Sequence, residues 1–262
     1  MMSQAPIVTI AVPSYNQARF LEQALTSIFE QDLPVEVFIA DGGSTDRSVR
    51  IIKKFESKLL GWRSHRDRGQ AAAINEGIAY GRAPYVGWLN SDDCLLRGGL
   101  KRLVNVLERE PAAPAAYGKV WNLIEATNTK KPVWVEKFNE HRLALRCIVS
   151  QPGALVRRTA WEAVGGVDER LQMVIDFDLW WRLYRTFGPM SFVDEFVALN
   201  RDHPDTKTNK ARQLHYNEAI QIVRKYYGRV PLKWWLAQPY AVLLKSLANK
   251  FHSKRRFDGT FS

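Results

Sequence analysis

The residues best suited to chemistry are carboxylates that directly follow short apolar runs. Asp41 follows the run "VEVFIA" and precedes two glycines. Its carboxylate can accept hydrogen bonds from a nucleobase or a ribose, and glycines without a Cβ allow a ligand to approach the backbone closely. Asp-Gly is also common in simple turns between a strand and a helix. The dipeptide alone leaves both interpretations open.

Asp92 and Asp93 end a second motif, "WLNSDD" at residues 88–93. Mg²⁺ and Mn²⁺ prefer carboxylate oxygens and are often held by one or two carboxylates together with substrate phosphates. A metal site is therefore one interpretation of the pair. In the other interpretation one carboxylate caps the short turn before Leu95, and Asn90 and Ser91 are ordinary turn-forming residues.

Two further acidic residues lie in "MVIDFDLWWRL", where Asp176 and Asp178 are separated by one residue. On a helix two such side chains diverge by about 200°, so only one can face a cleft. Asp176, in the first turn, is the better candidate, and a helix N-cap is its alternative role. His203 lies in the loop-like "RDHPDTKT". A loop histidine is ordinarily solvated, and this one gains a function only if it closes over a metal.

Alternating strands and helices are predicted to position these residues. Over about 110 residues, short β-branched runs alternate with segments of helical apolar spacing. This alternation predicts an α/β fold with a mostly parallel sheet covered by helices on both faces. Ligands of such sheets bind beyond the carboxyl ends of the strands. We therefore expect "PSYN", "DGGSTD", "RDRGQ" and "NSDD" to meet at one edge. The predicted strands are residues 8–12, 35–40, 62–65 and 85–89, and the helices 18–31, 44–55, 70–78 and 98–110.

The pattern after Pro111 is less regular. Strand-like pieces alternate with an aromatic-rich helix, and two helices are predicted for the last fifty residues. The predicted strands are residues 115–121, 133–137, 153–157 and 192–199, and the helices 176–187, 210–227 and 232–252.

The composition is that of a globular protein, with 262 residues of which 46% are hydrophobic and 25% charged. The two distant cysteines, Cys94 and Cys147, make neither a metal motif nor a disulfide framework, which favours a reducing compartment. The first residues lack the basic region of a signal peptide. No stretch approaches the roughly 20 apolar residues that span a bilayer.

The positive charge is concentrated near the end of the chain. The net charge is +11, and residues 207–256 contain twelve Lys or Arg and one acidic residue, Glu218. Such asymmetry indicates an anionic partner. The charges accompany an apolar helical face, so we predict a tail helix lying on an anionic membrane. A helix packed on the core with a solvated basic end is the alternative, and no nucleic-acid recognition motif accompanies the charge. The apolar face comprises Leu236, Tyr240, Leu243, Leu247 and Phe251, and the cations are Lys245, Lys250, Lys254, Arg255 and Arg256.

The ordered set of motifs resembles glycosyltransferase family 2, the inverting enzymes with a GT-A fold. The resemblance covers about residues 6–207. It rests on "IVTIAVPSYNQARFLEQALTSIFEQ", "IADGGSTDRSVRII", "DRGQAAAINEGI", "VGWLNSDD", "GGVDE" and "DFDLWWRL", in that order. The resemblance implies a nucleotide-binding part at about residues 6–120 and an acceptor part at about 121–207, which together form a catalytic domain at 1–207. Residues 208–262 would form a basic amphipathic helical tail.

The resemblance also implies roles for individual residues. Asp41 would receive the base of a nucleotide-sugar, usually a UDP-sugar, and Asp93 would lie close to the sugar or the acceptor. Asp92 would be the main ligand of Mn²⁺ or Mg²⁺, because Asn90 stands where the family's D-x-D motif has its first acid. The other implied donor-binding residues are Pro13, Ser14, Tyr15, Asn16, Asp67, Asn90 and Ser91. His203 would supply a further metal or diphosphate contact. Asp176 would be the general base, with Ile175 in place of the glutamate that usually precedes it.

The function implied is metal-assisted transfer of a sugar, with inversion, to a hydroxyl of a saccharide or lipid-linked saccharide. A lipid-linked acceptor fits an enzyme of polysaccharide assembly at the cytoplasmic face of a membrane. Two alternatives remain. A nucleotidyltransferase would be expected to carry a glycine-rich loop after the first strand, and "PSYNQARF" has no glycine. A non-catalytic nucleotide-sugar-binding protein would be compatible with Asn90 in place of an acid.

Overall fold

The structure is a computed structural model that describes residues 5–207 and 211–239, and the side chains of residues 5–207 and 211–236. Nine strands of this part form one sheet. The strands are β1 Val8–Ser14, β2 Val35–Asp41, β3 Gly61–Ser64, β4 Tyr85–Trp88, β5 Cys94–Leu95, β6 Ala115–Ile124, β7 Thr129–Pro132, β8 Ala154–Arg157 and β9 Ser191–Asp202. The helices are α1 Leu21–Phe29, α2 Ser48–Phe55, α3 Gln70–Tyr80, α4 Gly99–Arg109, α5 Glu140–Leu145, α6 Arg158–Ala163, α7 Ile175–Phe187, α8 Arg212–Tyr227 and α9 Leu232–Pro239.

The sheet is parallel in its first half and mixed in its second. The strand order is β3-β2-β1-β4-β8-β6-β9-β5, with β7 paired to β6. The first four strands are parallel, β8 is antiparallel to both β4 and β6, and β9 is parallel to β6. The predicted α/β fold with a mostly parallel sheet is confirmed.

Helices cover both faces of the sheet because strand residues alternate between two cores. Val8, Ile10 and Val12 of β1 pack into a cluster with α1, α2 and α4, whereas Ala11 faces a cluster formed by α3 and α5–α8. Strands buried on both faces are expected to be nearly continuous apolar runs, and β1 is buried along its whole length. The second cluster contains the fully buried Trp180 and Trp181.

Several predicted boundaries were wrong. Ser44 does not cap α2, which begins at Ser48, because the Ser44 hydroxyl and N–H both donate to the Asp41 carboxylate. The strand predicted at 133–137 lies earlier, at β7, where it forms a hairpin with β6. Two short helices, α5 and α6, and the two-residue strand β5 were not predicted.

The first tail helix, α8, packs on the rest of the fold. Ala219, Ile222 and Val223 belong to the second core cluster, and the buried Glu218 accepts the backbone N–H groups of residues 172–174. Helix α8 thus shares a core with the preceding residues, and the domain boundary predicted at 207/208 stays a prediction. The predicted apolar and basic residues at 240–256 lie outside the described residues. None of the helices within the described ranges is long and apolar enough to cross a membrane.

Candidate active site

The loops after β1 and β2 form one hydrogen-bonded unit at the carboxyl edge of the sheet. Asn16 has a left-handed backbone, with φ of 52°, and its Oδ1 accepts the Thr45 N–H at 2.9 Å. The Asn16 N–H donates to Ser44 Oγ at 2.8 Å. Ser14, next to the buried Pro13, accepts the Gly42 N–H through its carbonyl oxygen at 2.8 Å. "PSYN" and "DGGSTD" therefore meet, as the predicted parallel order requires.

Asp41 holds the β2 loop in shape. Its carboxylate is fully buried, and Oδ2 accepts the Ser44 N–H at 2.8 Å and the Ser64 hydroxyl at 2.7 Å. The Ser44 hydroxyl donates to Oδ1 at 2.5 Å. Oδ1 could accept a further hydrogen bond, but a nucleobase could reach it only if the buried carboxylate became accessible. Its assignment to base binding stays a prediction.

Gly42 forms the floor of a small recess between Tyr15 and Asp67. A Cβ added at Gly42 would lie 3.4 Å from Tyr15 Cδ2 and 3.6 Å from Asp67 Oδ2. Tyr15 is 61% exposed, so its ring offers a face on which a base can stack. Arg63, which sequence reasoning missed, donates to the Asp41 carbonyl at 2.7 Å and to Asp67 Oδ2 at 3.1 Å. The recess thus has an aromatic wall, a carboxylate and an arginine that braces both loops.

Asn90 ties the loop after β4, residues 89–93, to two other parts of the fold. Its Oδ1 accepts Gln70 Nε2 at 2.8 Å, and its Nδ2 donates to Asp93 Oδ2 at 3.1 Å and to Gln151 Oε1 at 3.2 Å. Gln151 also donates to the Trp88 carbonyl at 2.6 Å. The Gln70 bond brings "RDRGQ" to "NSDD" and completes the expected convergence of the four strand ends. In this network Asn90 positions the loop.

Asp93 and Ser91 face into the protein. Asp93 is 2% exposed, and its Oδ1 accepts the Arg201 N–H at 3.0 Å. Burial, and then the charge of Asp92, raise the pKa of Asp93 to about 8. The turn itself is closed by the backbone bond from the Asp93 N–H to the Asn90 carbonyl at 3.0 Å, and no carboxylate cap is found among the described contacts. Contact of Asp93 with sugar or acceptor stays a prediction.

The Asp92 side chain contacts His203, which directly follows strand β9. His203 Nε2 lies 3.0 Å from Asp92 Oδ2, and the buried imidazole packs against Phe20 with ring centroids 4.7 Å apart. Arg201 donates through Nε to the Asp92 carbonyl at 3.0 Å and fixes the loop from the same strand. Within the described residues no three His, Cys, Asp or Glu side chains are grouped as a metal site. A cation here would need further ligands from substrate or water.

Asp176 and Asp178 diverge on α7 as their spacing predicted. The buried Asp178 accepts Arg182 Nε at 2.6 Å and the Tyr226 hydroxyl at 2.9 Å, so it joins α7 to α8. Asp176 Oδ1 accepts the Phe177 N–H at 2.8 Å. Burial raises the pKa of Asp176 to about 6, against the opposing effect of backbone hydrogen bonds. Asp176 is therefore a carboxylate suited to proton transfer near neutral pH.

The segment at residues 147–151 has one end near Asp176 and the other at the β4 loop. Burial, and then the negative charge of Asp176, raise the pKa of the Cys147 thiol, while Gln151 at the other end of the segment contacts Asn90. One helical turn after Asp176, Trp180 stacks on Trp88 with ring centroids 6.3 Å apart. These contacts bring the first turn of α7 beside the carboxyl end of β4.

A family model described as Glycosyl transferase family 2 matches residues 9–164. Chondroitin synthase of Escherichia coli is 20% identical over 241 residues, which are 91% of this chain and 35% of that protein. Hyaluronan synthase of Pasteurella multocida is 24% identical over 208 residues, which are 76% of this chain and 20% of that protein. The chain thus spans about a third or less of these two relatives.

Solved structures show the same architecture. S. aureus TarS 1–349 in complex with UDP-GlcNAc superposes with a TM-score of 0.68 at 16% identity, over 90% of this chain and 73% of that one. The mannosyltransferase PcManGT from Pyrobaculum calidifontis, in complex with GDP-Man and Mn²⁺, superposes with a TM-score of 0.66 at 19% identity, over 97% of this chain and 76% of that one. The fold is of the GT-A type, as expected.

Proposed function

This chain belongs to glycosyltransferase family 2, and from that premise we propose that it moves a sugar from a UDP-sugar to a hydroxyl of a saccharide or lipid-linked saccharide, with inversion. The observation that carries the proposal is the pair of sites on either side of residues 147–151. On one side is Asp176, whose pKa is raised to about 6. On the other is the β4 loop, in which Asp92 meets His203 at 3.0 Å.

The donor nucleotide occupies the recess at Gly42 in this proposal. The base stacks on Tyr15, and the loops that carry Asp41 and Asp67 supply polar contacts around it. The TarS structure in complex with UDP-GlcNAc supports a UDP-sugar as donor. The PcManGT structure contains GDP-Man, whose base is guanine and not uracil. Binding experiments with this chain should therefore compare UDP-sugars with GDP-sugars.

Asp92 and His203 are the residues that would hold a divalent cation. A carboxylate and an imidazole suit Mn²⁺, and Mg²⁺ or Mn²⁺ at such sites takes its remaining ligands from substrate phosphates and water. When bound, the cation stabilises the charge that develops on the departing diphosphate. The chain itself keeps the pair in place through Arg201, which binds the Asp92 carbonyl, and Phe20, which packs on the imidazole.

Asp176 acts as the general base. Its Oδ1 accepts the Phe177 N–H, so Oδ2 takes the proton of the acceptor hydroxyl. The acceptor oxygen forms a bond to the anomeric carbon as the bond from that carbon to the diphosphate oxygen breaks. One base opposite the leaving group produces a single displacement and therefore inversion, in contrast to the two-carboxylate retaining hydrolases.

A screen of nucleotide-sugars by thermal stabilisation, with and without Mn²⁺, tests the donor proposal. A ligand that binds only the folded state raises the melting temperature by mass action. We expect UDP-sugars to stabilise the protein and Mn²⁺ to increase the effect. Stabilisation combined with no release of UDP in the presence of a saccharide or lipid-linked acceptor would favour the non-catalytic alternative.

We also propose that residues 240–256 attach the protein to the inner face of the cytoplasmic membrane. The support is the excess positive charge of residues 207–256, because anionic lipids attract each nearby Lys or Arg by about 1 kcal/mol. Replacing the basic residues at 245–256 by glutamine should lower binding to anionic liposomes. Unchanged binding would contradict this role.

A further inference from the structure

Helix α9 presents an apolar face to solvent although its other face is anchored. The Trp234 indole N–H donates to the Ala144 carbonyl at 2.8 Å. At about 100° per residue, positions 232 and 236 lie about 160° from Trp234, and position 235 lies about 100° from it. Leu232 and Leu236 are 77% and 78% exposed, and Trp235 is 46% exposed. An ordered helix thus holds three large apolar side chains outward, and the usual expectation for such a patch is an interaction site.

Cations and a further tryptophan lie beside helix α9 on the side of Lys233. Trp134 is 54% exposed, and the Arg146 guanidinium lies over its ring at 4.8 Å from the centroid. Burial, and then the charges of Arg146 and Arg142, lower the pKa of Lys233, so these groups lie close together. The nearby Glu136 is already paired with Arg142 at 2.8 Å. Positive charge therefore exceeds negative charge around the apolar face.

We propose that this surface binds the interface of an anionic phospholipid membrane. We call it the α5–α9 surface, and it consists of Trp134, Arg146, Leu232, Lys233, Trp235 and Leu236. Tryptophan suits the headgroup level, leucine the acyl boundary, and arginine and lysine the anionic headgroups. An anionic saccharide would satisfy the cations but would leave two leucines without an apolar partner. The surface lies within the described residues and does not include residues 240–256, although Leu236 also belongs to the apolar face predicted for the tail.

The position of the α5–α9 surface fits the reaction. Arg146 immediately precedes Cys147, and the negative charge of Asp176 contributes to the raised pKa of the Cys147 thiol. The surface therefore lies near the Asp176 end of residues 147–151. A lipid-linked acceptor could reach Asp176 while its lipid stays in the bilayer. This last step rests on the proposed function, whereas lipid binding itself does not.

Sedimentation of the full chain with vesicles tests the inference. The vesicles are pure phosphatidylcholine or an equimolar mixture of phosphatidylcholine and phosphatidylglycerol. We expect binding to the mixed vesicles, about tenfold weaker in L232Q/L236Q because two exposed leucines no longer enter the acyl boundary. R146Q/K233Q should bind the mixed vesicles about tenfold more weakly than the unaltered chain does. Its binding to pure phosphatidylcholine vesicles should be unchanged. Residues 240–256 stay intact in both variants.

Matched controls come from the nucleotide-binding part. L60Q removes an exposed leucine, and R50Q/K53Q removes two exposed cations from α2. Both should bind vesicles like the unaltered chain. Thermal stabilisation by UDP-sugar should be the same in all variants, which would show that they are folded. A loss of vesicle binding with unchanged stabilisation would separate this inference from the proposed function. Equal binding by the α5–α9 variants and the controls, or retention on heparin without vesicle binding, would overturn the inference.

Discussion

His203 Nε2 lies 3.0 Å from Asp92 Oδ2 and joins the end of β9 to the loop after β4, 111 positions earlier in the chain. The contact depends on the sheet, because β9 also supplies the Arg201 N–H to Asp93 and the Arg201 side chain to the Asp92 carbonyl. The candidate metal ligands are therefore assembled by the second half of the fold. A disturbance of β9 should reach the donor site without any change in the nucleotide recess.

The metal assignment predicts that D92A weakens Mn²⁺-dependent donor binding. The variant removes the carboxylate of the Asp92–His203 pair. We expect the apparent Mn²⁺ affinity to fall by at least about tenfold, because mutation of residues that only support metal ligands already lowers metal affinity by about that much. Calorimetric titration of Mn²⁺ in the presence of UDP-sugar measures the change. D32A, which removes an exposed carboxylate, is the control. An unchanged Mn²⁺ titration for D92A would remove Asp92 from this role.

The recess at Gly42 predicts a size-dependent loss of nucleotide binding. The Cβ of G42A would lie 3.4 Å or more from its neighbours, an ordinary contact, so this variant should fold and bind nearly normally. G42L should fold but fill the space between Tyr15 and Asp67. We expect UDP affinity to fall more than about tenfold in G42L, which corresponds to 1.4 kcal/mol. Equal UDP affinity in the two variants would place the nucleotide elsewhere.

Asp178 should matter for stability and little for chemistry. D178N leaves the mostly buried Arg182 without its carboxylate and weakens the bond to Tyr226 on α8. Breaking one partner of a buried ion pair costs about 3 kcal/mol. Urea unfolding should show this loss, while kcat of the remaining folded enzyme stays within about twofold, well under the tenfold that 1.36 kcal/mol of barrier gives. A large loss of kcat with normal stability would show that Asp178 and not Asp176 takes part in the chemistry.

The raised pKa of Asp176 predicts a pH dependence. The base must be ionised, so kcat/KM should rise with pH, reach half its maximum near pH 6 and level off above about 7. The stability effect has the opposite sign. Because the folded-state pKa exceeds the ordinary value of 3.8, the protonated carboxyl is favoured in the fold, and this stability is lost as pH rises from about 4 through about 6. Comparing unfolding free energies of the unaltered chain and D176N isolates this contribution from that of Asp93. Parallel profiles would contradict it.

The convergence of the four strand ends was predictable because parallel βα units place their carboxyl ends on one edge. The observed Gln70–Asn90 and Asn16–Thr45 bonds follow from that rule. The divergence of Asp176 and Asp178 was predictable for a similar reason, since helical geometry alone separates them. These parts of the site depend on local periodicity, which the sequence shows directly.

The bracing residues were not predictable in this way. Gln151 and Arg201 reach the β4 loop from 61 and 108 positions away, through the antiparallel and mixed half of the sheet. Their sequence neighbourhoods carry no motif that signals the contact. Ser44 is a similar case within one loop. Its hydroxyl could cap helix α2 or bind Asp41, and in the structure it donates to the buried Asp41 carboxylate. Only tertiary packing decides such competitions.

The central claim is that Asp176 is the base of a sugar transfer. The most direct measurement is single-turnover transfer from UDP-sugar to a saccharide acceptor by D176N, together with its affinity for UDP-sugar. Asparagine keeps the shape but cannot take the proton, so we expect the transfer rate to fall by about 10²–10⁴-fold with donor affinity unchanged. The same rate in D176N as in the unaltered chain, with donor bound equally, would contradict the claim.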